Sequence, residues 1–172
     1  ALWPIGRFPV LVAGGRTIPE ASILIEYVDA LAPPASLIPV DPDAALEARL
    51  LDRVFDNYVM TPMQAIVGDA LRPEGSHDPH GVAQAHALLE RAYGWLETAL
   101  AGRRWATGER FTLADCAAAP SLFYADWVHP IGERPVLAAY RARLLARPSF
   151  ARAVDEARPY RHLFPLGAPD RD

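Results

Sequence analysis

The sequence predicts an α+β fold that is mostly α: a short β-hairpin and helix, then an all-helical domain. Val10-Leu11-Val12 is a β-favouring run, Gly14-Gly15 is a turn signal, and Arg16-Thr17-Ile18 can return as a second short strand. After Pro19 the apolar residues Ile23, Tyr27 and Leu31 recur every four positions, with Leu24 and Val28 beside them, so the period changes to that of a helix starting near Glu20. From Ala44 onward the periodic segments have helical spacing. The first turn after Glu20 leaves backbone N–H groups without intrahelical partners, which suits it to docking an anionic group. It is the leading candidate for a binding site.

Composition sets the outer bounds. A chain of 172 residues, 51% hydrophobic and 22% charged, can bury a core as one domain or as a small domain joined to a larger one. A net charge of −4 without a basic cluster argues against nucleic acid or an anionic membrane as the main partner. No apolar run approaches the roughly 20 residues needed to span a bilayer. The single cysteine, Cys116, excludes an internal disulfide framework and fits a reducing compartment, hence a cytoplasmic location. No signal peptide is visible.

The hairpin and its helix occupy residues 1–31. Residues 32–43 are rich in proline and read as a connector, leaving 44–172 for the helical domain. Asp41-Pro42-Asp43 supplies capping residues for a long helix over 44–71, with Leu46, Leu50 and Val54 in one row and Leu51, Phe55, Val59, Pro62 and Ile66 in another. Pro62 lacks an N–H and crowds the carbonyl of Tyr58, which predicts a kink. After a loop at 72–79, Val82, Ala85, Leu89, Tyr93, Leu96 and Leu100 mark a second helix that pairs antiparallel with the first, and Gly102 stops it.

Thr112-Leu-Ala-Asp115 has the form of a capping box, so a helix begins there. Leu113, Ala117, Pro120, Tyr124 and Trp127 make it the central core helix. Leu137, Tyr140 and Leu144 predict another, Arg147-Pro148 breaks it, and Phe150, Val154 and Ala157 support a short last helix before a tail that wraps the surface or frays. His77, His80 and His86 lack ligands at zinc spacing and read as surface histidines, so no metal is expected. Cys116 reads as a buried, inert thiol. Tyr58, Met60, Met63, Tyr124 and Trp127 suit either core packing or an apolar pocket between the kinked and central helices, with Arg72 at its rim or in solvent.

Gly6-Arg-Phe-Pro-Val-Leu11, followed by Pro19-Glu-Ala-Ser22 and Ile25-Glu-Tyr27, resembles the second half of the thioredoxin-like domain of glutathione S-transferases. Gly108-Glu-Arg-Phe-Thr-Leu-Ala-Asp-Cys116 resembles the capping motif of that family's helical domain, where Thr112 and Asp115 would serve folding. The resemblance implies a cis peptide before Pro9 and a backbone pairing of Phe8 with the cysteinyl part of glutathione. It also implies that Glu20 and the residue after it hold the γ-glutamyl end. That next residue is Ala21, where the family usually has serine, and Ser22 stands one place later.

The pocket of Tyr58, Met63, Tyr124 and Trp127 would then hold a small apolar electrophile, and the protein would be a homodimer joined through the helix after Glu20 and the long kinked helix. The family's catalytic tyrosine, serine or cysteine follows a strand that precedes the segment seen here, so the catalytic residue is unknown and the chain is either a fragment or a natural remnant. Glutathione transfer is the expected activity. A non-catalytic binding or assembly module and a glutathione-dependent isomerase or dehalogenase remain the alternatives.

Overall fold

A computed structural model of the chain describes residues 2–32 and 36–172. The hairpin pairs β1 (Val10–Ala13) antiparallel with β2 (Arg16–Pro19), in the register Leu11 to Ile18 and Ala13 to Arg16. Its two-residue turn needs left-handed backbone at both positions. Gly14 and Gly15 provide it, with φ of 55° and 76°. Ile18 is the buried residue of the pair of strands.

Helix α1 (Ala21–Asp29) follows directly, with Glu20 as its N-cap. At its other end Asp29 accepts the Leu37 N–H at 2.6 Å and the Ser36 hydroxyl at 2.7 Å, which fastens the end of the connector. The connector's Pro33 and Pro34 lie outside the described residues. Helix α2 (Pro42–Phe55) begins two residues before the position its spacing predicts, because Asp41 caps it by accepting the Ala44 N–H at 2.9 Å and Pro42 suits the first helical turn.

The break predicted at Pro62 takes the form of a π-helical turn over Asp56–Met60, after which α3 (Thr61–Ala70) resumes. Pro62 offers no N–H to the Tyr58 carbonyl. The chain widens just ahead of it, and both the N–H and the hydroxyl of Thr61 bond the Asp56 carbonyl. Helix α4 (Pro79–Ala99) packs on α3, and α5 (Leu113–Val128) runs through the middle against α2. Helices α6 (Pro135–Leu145) and α7 (Pro148–Ala157) complete the domain.

Phe55, Val59, Met63, Leu89, Tyr93, Leu122, Leu137 and Tyr140 share one continuous core. The tail beyond Arg158 folds back on the domain: a 3-10 turn spans Arg158–Leu163, Arg158 and Arg161 pair with Asp172, and Arg171 pairs with the buried Asp126. Among the described residues no helix is long and apolar enough to cross a membrane.

His86 is a half-buried member of a polar cluster rather than a surface histidine. Its Nδ1 lies 3.0 Å from Nδ1 of His129, whose Nε2 faces Glu90 at 3.1 Å, while the Tyr93 hydroxyl donates to the His129 carbonyl and Arg134 pairs with Glu90. Two nitrogens at that distance share one proton, so they cannot both be imidazolium without losing the bond. Burial, and next the charge of His129, hold His86 below the ordinary value of 6.5.

The folded chain therefore binds fewer protons than the unfolded chain in that range. The cluster's stabilisation is complete above the unfolded value and is lost as pH falls through the lower folded one. Thermal midpoints measured between pH 7.5 and 5 are expected to fall in the parent and to fall less in His86→Gln; equal slopes would remove His86 as the cause.

Candidate functional site

The segments that the sequence singled out meet around one cavity of about 620 Å³. One wall is the loop from Gly6 to Pro9, with a cis peptide between Phe8 and Pro9. The next is the start of α1, with Glu20, Ala21 and Ser22. Asp52, Arg53 and Asp56 come from α2 and the π-helical turn, Met60, Thr61 and Gln64 from just beyond, and Cys116, Ala117 and Pro120 from α5. All five residues expected at a glutathione site, Phe8, Pro9, Glu20, Ala21 and Ser22, line this cavity.

Glu20 has a φ of 71°, a region that costs a residue with a side chain of order 1–3 kcal/mol. Its carboxylate makes no capping bond to the helix it starts. The same geometry leaves the N–H groups of the first turn at the cavity wall. A site of this kind offers an anion for an ammonium and N–H donors for a carboxylate, side by side.

Ser22 is used elsewhere. Its hydroxyl donates to Asp52, with the two carboxylate oxygens at 2.9 and 3.0 Å, and so ties α1 to α2. Asp52 is 3% exposed and is held further by Arg53 Nε at 2.9 Å and Nη2 at 2.7 Å. The Arg53 Nη2 also reaches Asp56 at 2.6 Å. Burial pushes the Asp56 carboxyl up against the opposing charge of Arg53, and the charges of Asp52 and Glu20 add to the rise. The cavity thus carries a concentration of negative charge beside the start of α1.

This acidic cluster escaped the sequence reading. Its signal was present: Asp52 and Asp56 stand four apart around Arg53 in one stretch of helical spacing, which places both carboxylates on one face.

The four residues expected to line an apolar pocket are not brought together. Met63 is 5% exposed and lies in the core with Phe55 and Val59. Tyr58 is half exposed and outside the cavity wall. Tyr124 and Trp127 line a separate cavity of about 240 Å³ with Phe123 and Phe164, walled on one side by the tail. Arg72 lines neither cavity and stands 3.4 Å from Asp69 beside the start of α4. The apolar wall that adjoins Glu20 and Pro9 is made instead by Met60, Ala117 and Pro120. Met60 and Gln64 are one helical turn apart and share the cavity face, whereas Met63 turns to the core.

Cys116 lines the cavity and is half buried, and burial pushes its thiol up to about 11, with the charge of Asp115 adding to it. A thiol at that value is almost wholly protonated at neutral pH and is a poor nucleophile. Thr112 and Asp115 form the capping box and lie behind this wall, in the buried start of α5. Among the described residues no group of three or more His, Cys, Asp or Glu is placed to hold a metal ion.

Residues 79–143 match the family described as the C-terminal domain of glutathione S-transferase. The chain is 30% identical over 161 residues to FtsZ-localized protein A of Caulobacter vibrioides, covering 87% of this chain and 71% of that protein. It is 27% identical over 112 residues to a probable glutathione S-transferase of Nicotiana tabacum, where the match takes 65% of this chain and 46% of the tobacco protein, under half its length. A glutathione S-transferase of Methylobacillus flagellatus, solved with glutathione bound, superposes with a TM-score of 0.78 at 30% identity, over 87% of this chain and 76% of that one.

Proposed function

The chain belongs to the glutathione S-transferase family, and from that premise we propose that its cavity of about 620 Å³ binds glutathione and presents the thiol to small apolar electrophiles. The observation that carries this reading is the meeting of the Phe8–Pro9 loop with the Glu20-headed start of α1 on one cavity. Phe8 offers its backbone to the cysteinyl part. Glu20 faces the ammonium of the γ-glutamyl end, and the N–H groups of Ala21 and Ser22 face its carboxylate. Met60, Ala117 and Pro120 supply an apolar wall for the electrophile.

In transfer, the thiol gives up its proton, its sulfur bonds the electrophilic carbon, and the leaving group departs with its electron pair. No residue of this chain is assigned to removing that proton. The cytoplasm, where glutathione is reduced, suits a chain with one cysteine. A homodimer fits the exposed apolar Ile23 and Val28 of α1 and Leu46 and Leu50 of α2.

Titration calorimetry tests the binding reading. Glu20→Ala is expected to abolish detectable glutathione binding by leaving the ammonium unpaired. Ala21→Ser is expected to tighten it, by at most the roughly 1.5–3 kcal/mol of a hydrogen bond to a charged group. A parent chain that takes up no glutathione, or two variants that bind as the parent does, would remove the site.

Ala21 also favours a second reading, a binding module without transfer. The Caulobacter relative is named for its localisation with another protein, FtsZ. Glutathione binding without any conjugation of an apolar aryl halide would select this reading over transfer.

A further inference from the structure

Ala21 removes the one side-chain donor that the start of α1 would present to a carboxylate, yet the cavity wall beside it carries a guanidinium with an unused edge. We propose that Arg53 receives the α-carboxylate of the γ-glutamyl end, in place of the hydroxyl that Ala21 lacks. The inference rests on the glutathione reading and names the side chain that gives that site its preference for an α-amino acid head.

Arg53 is fixed on one side. Its Nε and Nη2 donate to Asp52, and Nη2 also reaches Asp56 at 2.6 Å and the Ser22 hydroxyl at 2.7 Å. The last contact sets the guanidinium against the first turn of α1, next to the N–H groups of Ala21 and Ser22. Its Nη1 has no hydrogen-bond partner among the described residues, and the side chain is 49% exposed on the cavity wall. An arginine held in this way loses little further freedom on binding, and its planar fork suits a carboxylate.

The surrounding acids complete the arrangement. Glu20 and Asp56 leave negative charge for the ammonium, while Arg53 and the helix N–H groups leave positive charge for the carboxylate, so the wall complements a zwitterion better than a simple anion. Arg7, the other cation on the cavity, belongs to the loop beside Phe8 and Pro9 rather than to the start of α1.

A purely structural Arg53 would serve only to neutralise Asp52 and Asp56, and the ligand can separate the two roles. Glutathione is compared with γ-aminobutyryl-cysteinyl-glycine, which lacks the α-carboxylate but keeps the ammonium, on the parent chain, Arg53→Gln, Arg53→Lys and Arg53→Gln with Ala21→Ser. The parent is expected to prefer glutathione by about ten- to a hundredfold, the range of one charge-assisted hydrogen bond. Arg53→Gln is expected to lose most of that preference, the N–H groups of Ala21 and Ser22 keeping the remainder; the readout is the ratio of the two affinities, in which the altered charge of the wall acts on the ammonium of both ligands alike. Arg53→Lys keeps a charge between the two carboxylates and is expected to retain part of the preference, and Ala21→Ser is expected to restore part of it to Arg53→Gln.

If Arg53→Gln or Arg53→Lys folds and discriminates as the parent does, the assignment of Arg53 falls and the glutathione reading stands. If the parent binds neither compound, the glutathione reading itself falls and takes this inference with it.

Discussion

Asp115→Ala is expected to destabilise the chain by about 3–5 kcal/mol, because it strips the acceptor from the buried Ala106 N–H, Thr112 N–H and Tyr140 hydroxyl at once. One carboxylate oxygen accepts the Ala106 N–H at 2.8 Å and the Tyr140 hydroxyl at 2.6 Å, and the other accepts the Thr112 N–H at 2.8 Å. The side chain is fully buried. A capping box on an exposed helix is worth about 1 kcal/mol, but this one also joins the segment before α5 and the middle of α6 to the helix it caps. Each donor left without a partner in the interior costs about 1–3 kcal/mol, and the three share one acceptor, so the losses do not simply add.

Urea unfolding of Asp115→Ala, Tyr140→Phe and the double variant measures this. The pair is expected to cost less together than the sum of the two alone, by 0.5 kcal/mol or more for groups in direct contact. Glutathione affinity of the folded fraction is expected to stay near that of the parent, since Asp115 lies outside the cavity wall. A loss under about 1 kcal/mol for Asp115→Ala would mean that the carboxylate caps the helix and does nothing more.

Local signals made much of this fold legible. The glycine pair announced the hairpin, the switch of period after Pro19 announced α1, and Thr112 with Asp115 announced the start of α5. Each of these depends on residues within a few positions of one another, which a sequence displays directly. Pro62 likewise announced a disturbance, though its form as a π-helical turn depends on where the chain finds room ahead of the ring.

The cavity was legible only on the side built from contiguous sequence. Phe8, Pro9 and Glu20 stand at the two ends of one hairpin, whereas the Ser22–Asp52 contact closes over 30 residues. Helical spacing makes Met60 and Met63 neighbours, three apart on one side of the helix, and does not say which of the two faces the core and which a cavity. The tail gave no periodic signal, and so nothing announced that Phe164 would pack on Tyr124 and Trp127 and draw them into a separate cavity.

The two methionines should therefore part company when each is truncated. Met63→Ala is expected to cost about 2–5 kcal/mol, the range for emptying a buried large side chain, because Met63 is 5% exposed among Phe55, Val59 and their neighbours. The binding of a hydrophobic dye or an apolar electrophile by the folded protein is expected to change little, since Met63 is not on the cavity wall. Met60 is only partly buried, packs against the same core from the side and does line the cavity. Met60→Ala is expected to cost less stability and to weaken apolar ligand binding more, in proportion to the contact area it withdraws. Unfolding midpoints and dye titrations on both variants give the four numbers needed. Equal stability losses with a dye response confined to Met63→Ala would reverse the assignment and put the electrophile pocket back between Met63 and the central helix.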